Sequence, residues 1–315
     1  MTTQASMRSV GEPEWVASID QNMPTGVAIS GTGRMFVSFP RWDDEVPATV
    51  AELRDGAVVP YPSPELTRLD THNLADHLVS VQSVVVDPAD RLWLLDTGSI
   101  QFGPTSYGGP KLVCVDLTTD EVTRTILFPD DVALRMSYVN DLVFDLRRGE
   151  AGYAFITDSA MAGNRNGIIV VDLADGRSWR KLDDHPSTKA VTSYLPMIEG
   201  RPFLQRPPGG EAVKPALGSD GIAISADGSR LYYCPFLGRE LYSVSVDALV
   251  DEASDEVATV VDEGDKGGGT DGLDSDAEGR LYVTSYEHNA VAQSSLLPAA
   301  LFTLPCLPPG PVDVR

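Results

Sequence analysis

The feature that most constrains this chain is a repeated unit. Five segments align at their starts without gaps: Thr25–Ser30 (TGVAIS), Gln82–Asp87 (QSVVVD), Asn140–Asp145 (NDLVFD), Asp220–Ser225 (DGIAIS) and Asp271–Asp276 (DGLDSD). Each opens on a polar residue, continues as a short, mostly apolar strand and ends on Ser or Asp. Four run into a tight turn and a second apolar strand, as in GTGRMFVSF, PADRLWLLD, ADGSRLYYC and AEGRLYVTS, and the third uses the longer turn LRRGEAG before YAFITDS. A third strand follows in several, for example Lys111–Leu117 and Gly167–Leu173. The first column recurs at intervals of 57, 58, 80 and 51 residues. Short strands punctuated by turn residues at a period of about 50 are the mark of β-propeller blades, each a four-stranded antiparallel sheet. A β-sandwich would supply short alternating strands but not superimposable strand–turn–strand units. The fold class is therefore all-β.

The long interval holds an insertion, Asp183–Leu217, with six prolines, expected as a loop on one face. The end of the chain departs from the pattern. Ala292–Arg315 carries five prolines and only one strand signal, Ala300–Leu304. This divides the chain into an N-terminal segment 1–19 (its Glu14–Ile19 supplying an outer strand for the last blade), a propeller of five recognisable blades over 20–291, and a proline-rich tail over 292–315. The expected cost is an incomplete sixth position and a gap between blades five and one.

In a propeller the innermost strand of each blade lines a central channel, so the residues that open the repeats converge at one mouth. Here they are Thr25, Gln82, Asn140, Asp220 and Asp271, all oxygen donors. Oxygen-only sets suit hard cations, Ca²⁺ above all. Asp or Asn before Gly is also an ordinary turn choice, but five polar residues in register, Gln and Thr among them, favour metal or polar-ligand binding. Asn140, Asp220 and Asp271 are the metal candidates and Thr25 and Gln82 the ligand-binding ones. His288, in Ser285–Asn289, follows the second strand of blade five and is a candidate for proton transfer. Glu287 and Asn289 beside it, and Arg41 and Trp42 in the loop of blade one, are further ligand-binding candidates. His72, His77 and His185 lie in polar loops. No Cys/His cluster has zinc spacing, and no G-x-S-x-G elbow is present.

Charge narrows the partners. With 24 basic and 46 acidic residues the net charge is −22, which argues against nucleic acid and anionic membrane. The first fifteen residues contain no apolar stretch of the kind that forms a signal peptide, and three cysteines (Cys114, Cys234, Cys306) do not make a disulfide framework. Both point to a cytoplasmic protein with reduced thiols, Cys114 and Cys234 serving as small buried hydrophobes.

Together the phrases SVQSVVVDPADRLWLLDTG, GPKLVCVDL, YVNDLVFD, ITDSAMAGNRNGIIVVDL, GSDGIAISADGSRLYYCPF and DGLDSDAEGRLYVTSYEHNAV resemble the yellow/major royal jelly protein family, specifically its bacterial members, over about residues 20–291. The resemblance implies a six-bladed propeller, so the sixth blade is expected to be incomplete in this chain. It also implies a distant similarity to the gluconolactonase/senescence-marker lactonases, which hold a divalent cation in the channel. By that similarity Asn140 matches a lactonase Asn, Asp220 stands at the next Asn position and Asp271 matches the catalytic Asp. Thr25 replaces a Glu, which removes a charged ligand. Eukaryotic members are secreted, an alternative to the cytoplasmic expectation. Three functions are expected from residues and resemblance together. The first is a metal-assisted hydrolase or isomerase acting on a small, lactone-like substrate, with a cation (Ca²⁺) on Asn140, Asp220 and Asp271, and Asp271 activating water or moving a proton. The second is a non-catalytic binder of aromatic or amine ligands. The third is a dopachrome-type tautomerase.

Overall fold

The computed structural model describes residues 8–9, 15–20, 22–42, 45–161, 163–205, 210–295 and 302–305. Among the described residues five sheets of four or five strands follow one another along the chain, and each of them is a blade. Blade one consists of Gly26–Ile29, Met35–Ser38, Val50–Arg54 and Ala57–Pro60. Blade two consists of Val81–Val86, Arg91–Thr97, Pro110–Asp116 and Glu121–Leu127. Blade three consists of Val139–Asp145, Tyr153–Asp158, Gly167–Asp172 and Ser178–Lys181. Blade four consists of Ser219–Ile224, Arg230–Pro235, Glu240–Ser245 and Val261–Asp265. Blade five begins with Leu273–Ser275, Arg280–Ser285 and Ala290–Ser295, continues past 291 with Phe302–Pro305, and is extended at its outer edge by Arg8–Ser9, which pairs in parallel with Phe302–Thr303.

The propeller architecture and its five recognisable blades agree with the repeat, but the six-bladed architecture does not hold: among the described residues there are five blades and no sixth. The strand signal placed at a sixth position, Ala300–Leu304, is the fourth strand of blade five in its described part, because Phe302–Pro305 pairs with Ala290–Gln293. The stretch Glu14–Ile19 does not supply the outer strand. Glu14 lies outside the described residues, and residues 15–20 form no strand. Ile19 instead packs on the outer face of blade one, against Val37, Phe39, Val46 and Ala51.

The core lies between blades. Alternation puts one face of each strand against the next blade. Ala28, Phe36, Val84, Leu92 and Val113 fill the first interface, Trp93, Leu95, Leu142, Ile156 and Ile169 the second, Phe155, Val170, Ile222 and Tyr233 the third, and Cys234, Leu241, Leu273 and Leu281 the fourth. Cys114 and Cys234 are buried free thiols in these interfaces, and burial pushes the Cys234 thiol up to about 11. Cys306 lies outside the described residues. The face of blade one turned away from blade two carries Val37, Phe39, Val46 and Ala51, and no blade-five residue joins that cluster among those described. No described helix is long and apolar enough to cross a membrane.

The 183–217 insertion lies over blades four and five. A short hairpin (Met197–Ile198 with Arg201–Pro202) carries Phe203 against Phe236 and Tyr286, with ring centroids 5.9 and 5.8 Å away. The Val191 N–H donates to the Leu237 carbonyl at 2.7 Å.

Candidate functional site

The five inner strands line a channel of about 390 Å³. Its wall includes Thr25, Gln82, Asn140, Asp220 and Asp271, the whole first column of the repeat, so the structure brings these five together. Below them the throat is mostly apolar, with Val27, Ile29, Val86, Val143, Ile222 and Leu273, and Asp274 stands in it at the repeat position of Val143. Val27 and Ile29 are 64% and 60% exposed.

A local irregularity aims the polar residues. In blade two Val81 faces Asp96 while Ser83 already faces Leu95, so Gln82 is an extra residue on the inner strand. Blade three repeats this between Val139 and Leu142, and blade four between Ser219 and Ile222. Each is a β-bulge, which bends the strand and re-aims a side chain at the cost of one unpaired residue. In blade three the bulge puts Asp141 as well as Asn140 on the channel wall.

Buried carboxylates at the ends of second strands hold the bulged segments. Asp96 accepts from the N–H groups of Val79 (2.6 Å), Ser80 (2.8 Å) and Gly98 (2.9 Å) and pairs with Lys111 at 2.9 Å. Asp158 accepts from Tyr138 N–H (2.9 Å) and the Ser137 hydroxyl (2.6 Å) and pairs with Arg180 at 2.8 Å. Hydroxyls then tie blade to blade: Ser38 Oγ donates to the Gln82 carbonyl at 2.9 Å and Thr157 Oγ1 to that of Asp220 at 2.7 Å.

The site is strongly acidic. Asp141, Asp220, Asp271 and Asp274 all line the channel, and its lining includes no Lys, Arg or His among the described residues. Burial, reinforced by the charges of Asp271 and Asp274, pushes Asp141 up to about 7 against its bonds from the Leu142 N–H and Ser83 hydroxyl. Asp220 is 3% exposed, and burial with its neighbours Asp271 and Asp141 lifts its carboxyl well above the usual range, while the Asn140 amide favours the ionised form. Asp271 is raised too, by the surrounding channel wall, although its carboxylate keeps contact with water at the mouth.

The other sequence candidates lie outside the channel lining. Arg41 is buried, and its guanidinium donates to the carbonyls of Val79 (2.8 Å), Thr67 (2.8 Å) and Val46, which fastens loops of blade one. Trp42 stands behind the mouth in a stack with Phe102 (5.3 Å), which in turn stacks on Tyr138 (4.8 Å). Glu287 pairs with Arg239 at 3.0 Å and accepts from the Gly269 N–H at 2.9 Å. Asn289 donates to Glu199 of the insertion at 3.1 Å. His288 is exposed, with Nδ1 2.8 Å from the Ser285 hydroxyl. Among the described residues no group of three or more His, Cys, Asp or Glu side chains is arranged to hold a metal ion. The repeat alignment missed Asp141 and Asp274. It also missed Asp96 and Asp158, although LLDTG and ITDS carry an Asp at the same point of consecutive repeats.

Comparison with known proteins adds the following. The family model described as "Major royal jelly protein" matches residues 79–295. Protein yellow of Drosophila erecta is 28% identical over 258 residues, covering 76% of this chain and 44% of the relative. The dopaminechrome tautomerase of Drosophila melanogaster is 29% identical over 168 residues (50% of this chain, 35% of the relative), and major royal jelly protein 1 of Apis mellifera 26% over 227 residues (68% and 48%). The chain thus spans less than half the length of each. Among solved structures, a gluconolactonase from Xanthomonas campestris superposes with a TM-score of 0.52 at 16% identity, covering 92% of this chain and 77% of that one. The calcium-binding protein regucalcin from Agrobacterium tumefaciens gives 0.53 at 15%, covering 90% and 75%. At such identities the structural likeness establishes the fold alone.

Proposed function

The chain belongs to the major royal jelly protein family, and from that premise we propose that it binds a small organic cation, an aromatic amine, at the mouth of its channel and moves a proton on it. One observation carries this reading: four carboxylates line a channel that has no basic side chain among its described lining residues and opens onto a mostly apolar throat. The carboxylates repel one another, which is part of why Asp141 and Asp220 are shifted upward. A bound ammonium would relieve that repulsion, and the apolar throat would take the organic part.

The chemistry that fits is tautomerisation. A carboxylate accepts a proton from one ligand atom, and the resulting carboxylic acid returns it to another, with no net redox change. Such an exchange is most efficient when the acid's pKa lies near the working pH; burial, the largest cause of the upward shift of Asp141, persists beside a bound cation and keeps its carboxyl above the ordinary range. Asp220 and Asp271 would hold the ammonium. A tautomerase among the relatives supports the reaction type.

A second reading is a divalent cation on Asn140, Asp220 and Asp271. The donor chemistry suits Ca²⁺, and water and substrate would complete its six to eight ligands. Bound there, the ion would polarise a carbonyl oxygen for hydrolysis. The apolar throat favours the organic ligand.

Titration calorimetry with dopamine and with Ca²⁺ as probes separates the two. The expected result is dopamine binding that weakens at least tenfold in Asp220→Asn, a variant whose circular dichroism matches the parent. Stabilisation by Ca²⁺ with no response to dopamine would replace this reading with the second.

A further inference from the structure

The channel mouth contains two amide side chains, and hydrogen-bond relays turn them in opposite senses. In blade three, Asn140 Nδ2 donates to Ser159 Oγ at 2.9 Å, and that hydroxyl donates to the Ser219 carbonyl. With its nitrogen so engaged, Asn140 leaves Oδ1 without a protein partner among the described residues.

Blade two runs the other way. Trp42 Nε1 lies 2.7 Å from Tyr138 Oη, and an indole N–H can only donate, so the phenol oxygen accepts. Tyr138 is buried, and its hydroxyl hydrogen needs an acceptor of its own. The acceptor is Gln82 Oε1, 2.8 Å away. The reverse amide orientation would set two donors against the phenol oxygen and leave the hydroxyl hydrogen unpaired. Gln82 Oε1 is therefore spent on Tyr138, and Nε2, which no described protein group accepts from, remains for the channel that Gln82 lines.

The backbone around the relay is also constrained. Phe102, the middle ring of the Trp42–Phe102–Tyr138 stack, has φ 57° and follows Gln101 at φ 51°. Two successive non-glycine residues in the left-handed region cost free energy and persist only where their surroundings over-determine them. Here the stack holds the phenol in place.

Blade two neighbours blades one and three, so the blades that carry Asp220 and Asp271 stand across the channel from Gln82, while Asp141 of blade three lies beside blade two and accepts from Ser83 at 3.0 Å. We infer that the mouth is polarised, with Gln82 Nε2 a donor pole facing the acidic pole, so that the site selects a ligand bearing a hydrogen-bond-accepting oxygen at the end opposite its cationic group. Gln82 is the specificity-determining residue; Tyr138 and Trp42 are positioning residues that act through it. The ligand half of this inference rests on the amine reading proposed above, whereas the amide orientation does not.

The test pairs 4-methoxyphenethylamine with its near-isostere 4-ethylphenethylamine, which lacks the acceptor oxygen. The parent protein is expected to prefer the methoxy compound by about tenfold, as one hydrogen bond in a desolvated site allows. In Tyr138→Phe, which keeps the ring stack but frees the amide to turn, the preference falls to within twofold while affinity for the ethyl compound is unchanged. Trp42→Phe, which removes only the N–H at the head of the relay, reduces the preference partway. An equal affinity of the parent for both compounds, or a preference that survives Tyr138→Phe, overturns the inference. A neutron structure of the deuterated parent reads the amide directly: deuterons on the Gln82 nitrogen directed at the channel support the donor pole, and deuterons directed at Tyr138 overturn it. If neither amine binds, the ligand half falls with the amine reading, and the neutron result still decides the orientation.

Discussion

Blade two and blade one are built on the same strand pattern, but the faces they turn away from each other meet different fates. Toward blade three, Trp93, Leu95, Leu112 and Cys114 of blade two are buried against Leu142, Phe144, Ile156 and Ile169. On the outer face of blade one a small cluster, Val37, Phe39, Val46 and Ala51, is joined among the described residues only by Ile19 and Leu53, and on its inner strand Val27 and Ile29 stand open. Alternation decides which side chains share a face. Whether that face becomes core depends on a neighbour that no single strand encodes.

Substitutions at the two faces should separate most widely in stability. Ile156→Ala removes a fully buried side chain between blades two and three and is expected to cost about 4 kcal/mol in urea unfolding. A cost under about 1 kcal/mol would mean that this interface is looser than its burial indicates.

The next effect concerns how loops are held on the two sides. Asp158 of blade three fastens Ser137 and Tyr138, and its replacement by Asn removes the buried charge that Arg180 meets, leaving that guanidinium with only Asp183 at 3.0 Å and the Val132 carbonyl. The expected loss is about 3 kcal/mol. Blade one has no such carboxylate at the end of its second strand and uses Arg41 on main-chain carbonyls instead, so its loop should be insensitive to Asp158→Asn in hydrogen exchange.

A smaller effect is set by pH. The Asp141 carboxyl, at about 7 in the fold and near 3.9 in the unfolded chain, holds a proton natively that unfolding releases between those values. Stability should therefore fall as pH rises through that window and stay low above it. The upward shift of Asp220 acts with the same sign. Stability measured by melting at pH 5 should exceed that at pH 8 by about 2.5 kcal/mol from Asp141 alone. Asp141→Asn should shrink the difference to the part that Asp220 contributes; a parent that is more stable at pH 8 contradicts the acidic-channel account.

The smallest change is expected from Ile29→Ala, within about 0.5 kcal/mol of the parent, because the side chain is already exposed. A loss near that of Ile156→Ala would show that the open face is covered in solution, which sedimentation velocity can check.

Much of the architecture was readable from residues. The recurrence of TGVAIS, QSVVVD, NDLVFD, DGIAIS and DGLDSD located all five inner strands, and the polar residue opening each one does line the channel. Three things escaped. A bulge has no composition of its own, so the exposure of Asp141 beside Asn140 could not be read from a pattern that assumes strict alternation. Arg41 and Trp42 were marked as ligand contacts because of their position in a loop phrase, yet what they touch depends on Val79, Thr67, Phe102 and Tyr138, which are distant in sequence. Finally, the proline-rich end disguised Phe302–Pro305, whose pairing with Ala290–Gln293 completes blade five rather than opening a sixth.

The parallel pairing of Arg8–Ser9 with Phe302–Thr303 bears on how such a chain is born. Blades one to four each pair their strands from contiguous sequence, so each can assemble against the blade before it as synthesis proceeds. The fifth sheet joins segments separated by nearly the whole chain, and its last hydrogen bonds must wait until synthesis has passed residue 303. Until then the early strand has to stay unpaired while four blades assemble beside it. A nascent chain stalled short of that point should yield to protease at Arg8–Ser9 and resist over the blades already made.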